Sequence, residues 1–160
     1  MAGGMTFTVR TGGLDAIESA LTRLAARADN LLPAMDEIGS QMLQRTQRRF
    51  EEQQGPDGAD WPALSPVTVK RRGDAEPILR ISGDLYRSVS YRPSRDHVEL
   101  GTNWPYARAM QLGILRGASG RTRRGGPIPW GTIPPRPFLG ISDDDGADVL
   151  DIIQHYLEGA

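Results

Sequence analysis

Two histidines, an aspartate run at 143–145 and an arginine-rich tract at 116–124 are the residues whose types and spacing could do chemistry. His97 falls in an alternating segment and His155 in a helical one. Neither lies in a spacing such as H-E-x-x-H, which would bring two imidazoles onto one metal, so each reads as a packed or solvated side chain. Asp143, Asp144 and Asp145 offer oxygen ligands of the kind a divalent cation takes. The rest of a calcium loop is missing, however, and a helix start favours acids through its dipole alone. No serine stands in G-x-S-x-G, and no G-x-x-x-x-G-K-[ST] phosphate loop occurs. With no cysteine in the chain, thiolate zinc sites, disulfides and a Cys nucleophile are excluded together. These patterns point away from an enzyme, and they imply no metal and no cofactor.

The arginine tract is more informative. Arg116, Arg121, Arg123 and Arg124 lie in a Gly/Pro-rich stretch, residues 114–132, that contains no acid. Arginines in such a segment can track phosphates, yet no aromatic is interleaved at 116–124 for base stacking. They can equally order on a protein partner, where Arg is a frequent hot-spot residue. The one comparably dense opposite charge is Asp143, Asp144, Asp145, Asp148 and Asp151, so the two segments form a candidate interaction loop and a candidate acidic partner face. Two functions follow as hypotheses: a structural protein that assembles through these surfaces, or a nucleic-acid-binding accessory protein acting through Arg116–Arg124. With Ile114, Leu115, Ile128 and Trp130 spread among Gly, Arg and Pro, the loop is expected to be mobile in the monomer.

The chain that must carry these segments has 160 residues, 38% hydrophobic and 24% charged, with net charge −1. That fits one domain over residues 1–160 with a core of useful size, residues 1–4 forming a disordered arm. No global basic field advertises nucleic acid. No apolar run approaches the roughly 20 residues of a membrane span, and no secretory signal pattern opens the chain, so a soluble protein without membrane partners is expected. Of the 19 basic residues only Lys70 is lysine, a preference that suits planar interface contacts and equally follows from GC-rich coding.

The elements read as follows. Thr6–Arg10 alternates like a short strand, and Gly12–Gly13 turn the chain. Leu14, Ile17, Leu21, Leu24, Ala28 and Leu31 form one helical stripe; Met35, Ile38, Met42, Thr46 and Phe50 form a second. Pro33 predicts a kink in one long helix from Leu14 to Phe50, with Asn30 as an alternative stop. Gln41, Gln44, Arg45 and Arg48 fall off the apolar stripe. Gly55-Pro56-Asp57-Gly58 ends the helix. Ser65 and Pro66 start a short helix that stops at Gly73, and Ser82–Leu85 start another. Segments 88–91 and 97–101 form a β-hairpin. Pro105 begins a helix that Gly113 ends. Pro137–Ile141 reads as a last strand. Ser142 and Asp145 form a capping box for a final helix whose apolar face is Val149, Ile152, Ile153, Tyr156 and Leu157. Trp61, Phe138 and Leu139, large apolar residues in Pro-bounded segments, are expected to be structural anchors.

A series of short motifs in this order resembles the phage virion morphogenesis family, the tail completion proteins of Mu-like and P2-like tailed phages. The matching residues are Phe50, Gly55–Gly58, Trp61–Leu64, Leu79–Leu85, Ser88, Val98–Asn103, Tyr106-Ala107, Gln111–Gly113 and Ile133–Ser142. Met110 departs from a His common in the family, and the 114–132 loop matches poorly. The resemblance implies an α+β fold, with a small antiparallel sheet packed against a long N-terminal helix and a C-terminal helix, like the subunits of neck connectors and tail terminators. It also implies a ring, usually of six copies, that completes the tail at its head-proximal end and joins it to the head. Its partners would be itself and neighbouring neck and tail proteins, with DNA close by in the lumen. It would be assembled in the host cytoplasm and reside in the virion. No catalytic residues exist to carry over.

Overall fold

The computed structural model describes residues 15–27, 30–75 and 77–159. The strand expected at Thr6–Arg10, the Gly12–Gly13 turn and the arm at residues 1–4 lie outside them, as do Leu14 and Ala28. The fold is α+β: six helices and one two-stranded antiparallel sheet among the described residues.

Pro33 separates two helices rather than kinking one. Helix α1 spans Asp15–Arg27 and α2 spans Leu32–Glu52, with Pro33 in the first turn of α2. There its missing N–H costs nothing, whereas in a continuous helix its ring would strike the carbonyl four residues earlier. Asn30 serves the new helix instead of stopping the old one: its Oδ1 accepts the Leu32 N–H at 3.2 Å. The second stripe is buried throughout, from Met35 to Phe50. Ala20 and Leu31 are buried too, with Ile17 and Leu21 half-buried against them.

Helix α3 (Pro66–Arg72) is capped by Ser65, whose hydroxyl accepts the Thr68 N–H at 3.2 Å, and ends on left-handed Gly73. Helix α4 (Asp84–Ser88) leads directly into strand β1 (Val89–Pro93), which pairs with β2 (Val98–Thr102) so that Val89 faces Thr102 and Pro93 faces Val98. Helix α5 covers Ala107–Leu112 and α6 covers Asp143–Gly159. Helix α2 lies across both strands, and α6 packs on α1 and α2. The approach of α2 to β1 requires Gly39, because a Cβ there would lie 2.2 Å from the Tyr91 ring.

Two apolar clusters result. One joins α1, α2 and α6 through Ala20, Met35, Ile38, Met42, Val149 and Ile153. The other centres on Phe50, whose ring meets Trp61 edge-on at 5.4 Å, Tyr86 edge-on at 5.8 Å and Phe138 at 5.1 Å. Trp61, Phe138 and Leu139 are all buried in this second cluster.

Segment Pro137–Ile141 is not a strand and bends at Leu139. Among the described residues no strand pairs with it, and side chains take several of its backbone hydrogen bonds.

Candidate functional site

The substitute for strand pairing is supplied by three side chains. Gln111, on α5, accepts the Phe138 and Leu139 N–H groups at 3.0 Å each and donates to the Leu139 carbonyl at 2.8 Å. Arg49, on α2, donates through one Nη1 to the Phe138 carbonyl at 3.2 Å and the Gly140 carbonyl at 2.8 Å. The Trp61 indole donates to the Pro137 carbonyl at 2.8 Å. Just upstream, the Arg136 N–H donates to the Met110 carbonyl at 2.7 Å, and its guanidinium donates to the Pro62 and Ala63 carbonyls at 2.7 and 2.9 Å. Burial pushes the Arg136 guanidinium below its usual range, a cost that these charge-assisted bonds to carbonyls offset. A hydrogen-bonding backbone that finds no strand must find other partners, and here α5, α2 and the Trp61 loop clamp one segment from three sides.

The acidic face divides. Ser142 and Asp145 form the capping box: the Ser142 N–H donates to Asp145 Oδ2 at 2.8 Å, and the Asp145 N–H to Ser142 Oγ at 3.1 Å. The same carboxylate is buried and pairs with Arg49, while Arg45 reaches it at 3.7 Å. Asp148 accepts from Arg45 Nε at 2.9 Å and from Gln41 at 3.1 Å. Asp145 and Asp148 are therefore spent inside the subunit, and of the proposed partner face only Asp143, Asp144 and Asp151 remain exposed. Correspondingly, Gln41 and Arg45 face α6 rather than solvent. Residues 41, 45 and 49 repeat at helical spacing, as do 145 and 148 on the opposite helix. That pattern was available in the sequence as a signal for two facing polar ladders. Arg49 is the residue that sequence reasoning missed entirely.

Arg45's hydrogen bond, followed by Gln41's, holds the Asp148 carboxyl below the usual aspartate range. A depressed folded-state value contributes stability that is fully present above the unfolded value, about 3.9. It is lost as pH falls from there through the folded value. Asp148→Asn is accordingly expected to flatten the acid limb of the stability–pH curve below about pH 4. Thermal melts of both proteins at stepped pH would check it, and parallel acid limbs would contradict it.

The arginine tract is a hairpin, not an open loop. Ile114 and Ile133 exchange backbone bonds at 2.9 and 2.8 Å. Further along, the Gly117 N–H donates to Pro129 O at 3.1 Å, Ser119 N–H to Ile128 O at 2.8 Å and Thr122 N–H to Gly126 O at 2.8 Å. Its low apolar content predicts no order, but backbone bonds between facing segments do not depend on side-chain hydrophobicity. A tight turn closes the tip, Gly125 N–H donating to Thr122 O at 2.9 Å, and sets Arg123 and Arg124 at its centre. Arg116, Arg121, Arg123 and Arg124 are all exposed, with Leu115 and Trp130 exposed beside them. The hairpin's base is anchored at Gly113, where φ is 72° and a Cβ would stand 2.8 Å from the Ile133 carbonyl, and by the Gln111 and Arg136 bonds of the clamp. Within the chain the hairpin arginines do not meet the acids of α6: among the described residues no ion pair joins them.

The histidines stay apart from both features. His97 bonds Asp96 at 2.6 Å on the surface, and His155 packs edge-on to Tyr156 at 6.1 Å. Among the described residues no three acids or histidines gather where a metal ion could be held, and no helix is long and apolar enough to cross a membrane. What the arrangement offers chemically is a rigidly based, cationic and partly apolar projection.

Residues 13–158 match the phage virion morphogenesis family. The chain is similar to "Mu-like prophage FluMu G protein 2" of Haemophilus influenzae, 32% identical over 142 residues that make up 89% of each protein. It is also similar to "Putative capsid assembly protein G" of Escherichia phage Mu, 29% identical over 137 residues, 82% of this chain and 81% of that one. No solved structure matches.

Proposed function

The chain belongs to the phage virion morphogenesis family and serves in building the phage particle, and from that premise we propose that it completes the tail at its head-proximal end. There it forms a ring of six copies in the neck and joins tail to head. The observation that carries this reading is the hairpin at 114–133. It is anchored to the core by the Gln111 and Arg136 bonds, yet it displays four arginines and a tryptophan to solvent. Side chains of that kind, exposed on a fixed base, are those enriched where proteins meet. The phage Mu relative carries a name that speaks of capsid assembly, and a position against the head is compatible with it.

Phage lacking this protein test the proposal. Tailless heads and headless tails accumulating together, and joining when purified protein is added, are the expected result. Failure to make closed heads, with normal tails, would overturn the neck position. A second reading, binding of nucleic acid through Arg116–Arg124, is favoured by the lack of any acid between Glu99 and Asp143. Its mark would be binding of duplex DNA that weakens steeply with salt.

A further inference from the structure

We infer that the arginine hairpin of one copy of this chain docks into the groove between α2 and α6 of a second copy. The inference deepens the ring proposed above and rests on it for its biological setting.

The groove has a volume of about 740 Å³ and lies where the end of α2, the Gly55–Gly58 turn and the first turn of α6 meet. Its charge is set by which groups are already paired. Arg45 and Arg49, two of its three lining bases, are bound to Asp145 and Asp148. That leaves Glu52, Asp57, Asp143 and Asp144 exposed against Arg48 alone. Pro56 and Ile141 add apolar lining. The groove is therefore a net anionic recess with a greasy wall.

The hairpin has the opposite character. It carries Arg116, Arg121, Arg123 and Arg124, no acid, and a Trp130 that is 68% exposed beside a Leu115 that is 71% exposed. An aromatic this open to water on one copy gains by burial against another. Arg-carboxylate pairs add geometric register to attraction. The two features sit on different parts of one chain and do not neutralise each other in cis. A projection and a recess on the same subunit make a heterologous contact, the kind that closes rings.

Charge reversal tests this directly, because the residues altered are exposed and do not touch the core. One variant reverses the hairpin, Arg121→Glu/Arg123→Glu/Arg124→Glu; the other reverses the groove, Asp143→Arg/Asp144→Arg. Sedimentation velocity at low and high salt reads self-association, and circular dichroism melts check folding. The wild type is expected to associate, more strongly at low salt. Each variant alone is expected to weaken association at least about tenfold. The hairpin variant is expected to keep its melt unchanged and the groove variant to show only a modest fall in melting temperature, since its two new cations oppose the dipole at the start of α6. An equal mixture of the two is expected to assemble, since every hairpin then faces a groove of opposite sign. A wild type that stays monomeric at all concentrations would overturn the inference. So would a hairpin variant that associates like wild type, including one that has lost only binding to duplex DNA, or a mixture that stays dissociated. If association behaves as stated while phage lacking the protein show no head–tail defect, the contact stands and the neck reading falls.

Discussion

Asp145→Ala is expected to cost about 3–5 kcal/mol of stability, because it leaves a buried guanidinium without its counter-charge. Arg49 is only 7% exposed and Asp145 only 1%. Burial pushes the Arg49 guanidinium down from its ordinary range, against the upward pull of the Asp145 carboxylate beside it. Removing that carboxylate keeps the desolvation and deletes the compensation, and it also strips the Ser142 N–H of its acceptor, which opens the first turn of α6. Arg49 cannot move out, since its Nη1 holds the Phe138 and Gly140 carbonyls. Denaturant unfolding of the single variant and of Arg49→Met/Asp145→Ala would check this. The double variant is expected to recover part of the loss, because a neutral side chain no longer needs a partner. A single-variant loss under about 1 kcal/mol would mean that water or another acid reaches Arg49.

Phe138→Ala is expected to lose a similar amount, about 3–5 kcal/mol. Its ring has no exposed surface and packs 5.1 Å from that of Phe50, itself fully buried. The cavity cannot collapse readily. The backbone of Phe138 is held on both sides, N–H by Gln111 and carbonyl by Arg49, and Pro137 stiffens the approach. Poor collapse places a large-to-small change at the costly end of its range. The same variant should slacken the base of the hairpin, since the 133–139 segment carries it. Limited proteolysis near Arg121–Arg124 is therefore expected to accelerate along with the fall in melting temperature. An unchanged melting temperature would contradict the prediction.

Features that depend on neighbours along the chain were readable from residue order alone. Ser65, Gly73, Gly113 and the Ser142–Asp145 box mark helix ends through contacts within a few residues, so residue type and spacing sufficed. The second stripe from Met35 to Phe50 and the face of α6 were legible because a helix folds its periodicity into one surface. Family membership was legible for a related reason: the order of short motifs such as Trp61–Leu64, Gln111–Gly113 and the 133–142 run lies along the chain and can be matched whatever contacts they make. The anchors Trp61, Phe138 and Leu139 were marked by apolar bulk between prolines, and they are buried.

Packing of the whole chain set what each polar group would meet. Pro137–Ile141 has the composition of a strand, but strand formation needs a second strand at hydrogen-bonding distance. The described sheet ends with β1 and β2, so a glutamine 27 residues away and an arginine 89 residues away take that role. The aspartates at 143–145 all suit a helix start, yet the rotation of α6 against α2 turns Asp145 and Asp148 inward and leaves Asp143, Asp144 and Asp151 in water. No local rule sets that rotation, which follows from burying Val149 and Ile153 with Met35 and Met42. The order in the arginine hairpin likewise lies in backbone bonds between residues as far apart as Ile114 and Ile133, to which composition is blind. Propensity and periodicity act over one or two turns, while desolvation and pairing act between whichever groups the packed chain brings together.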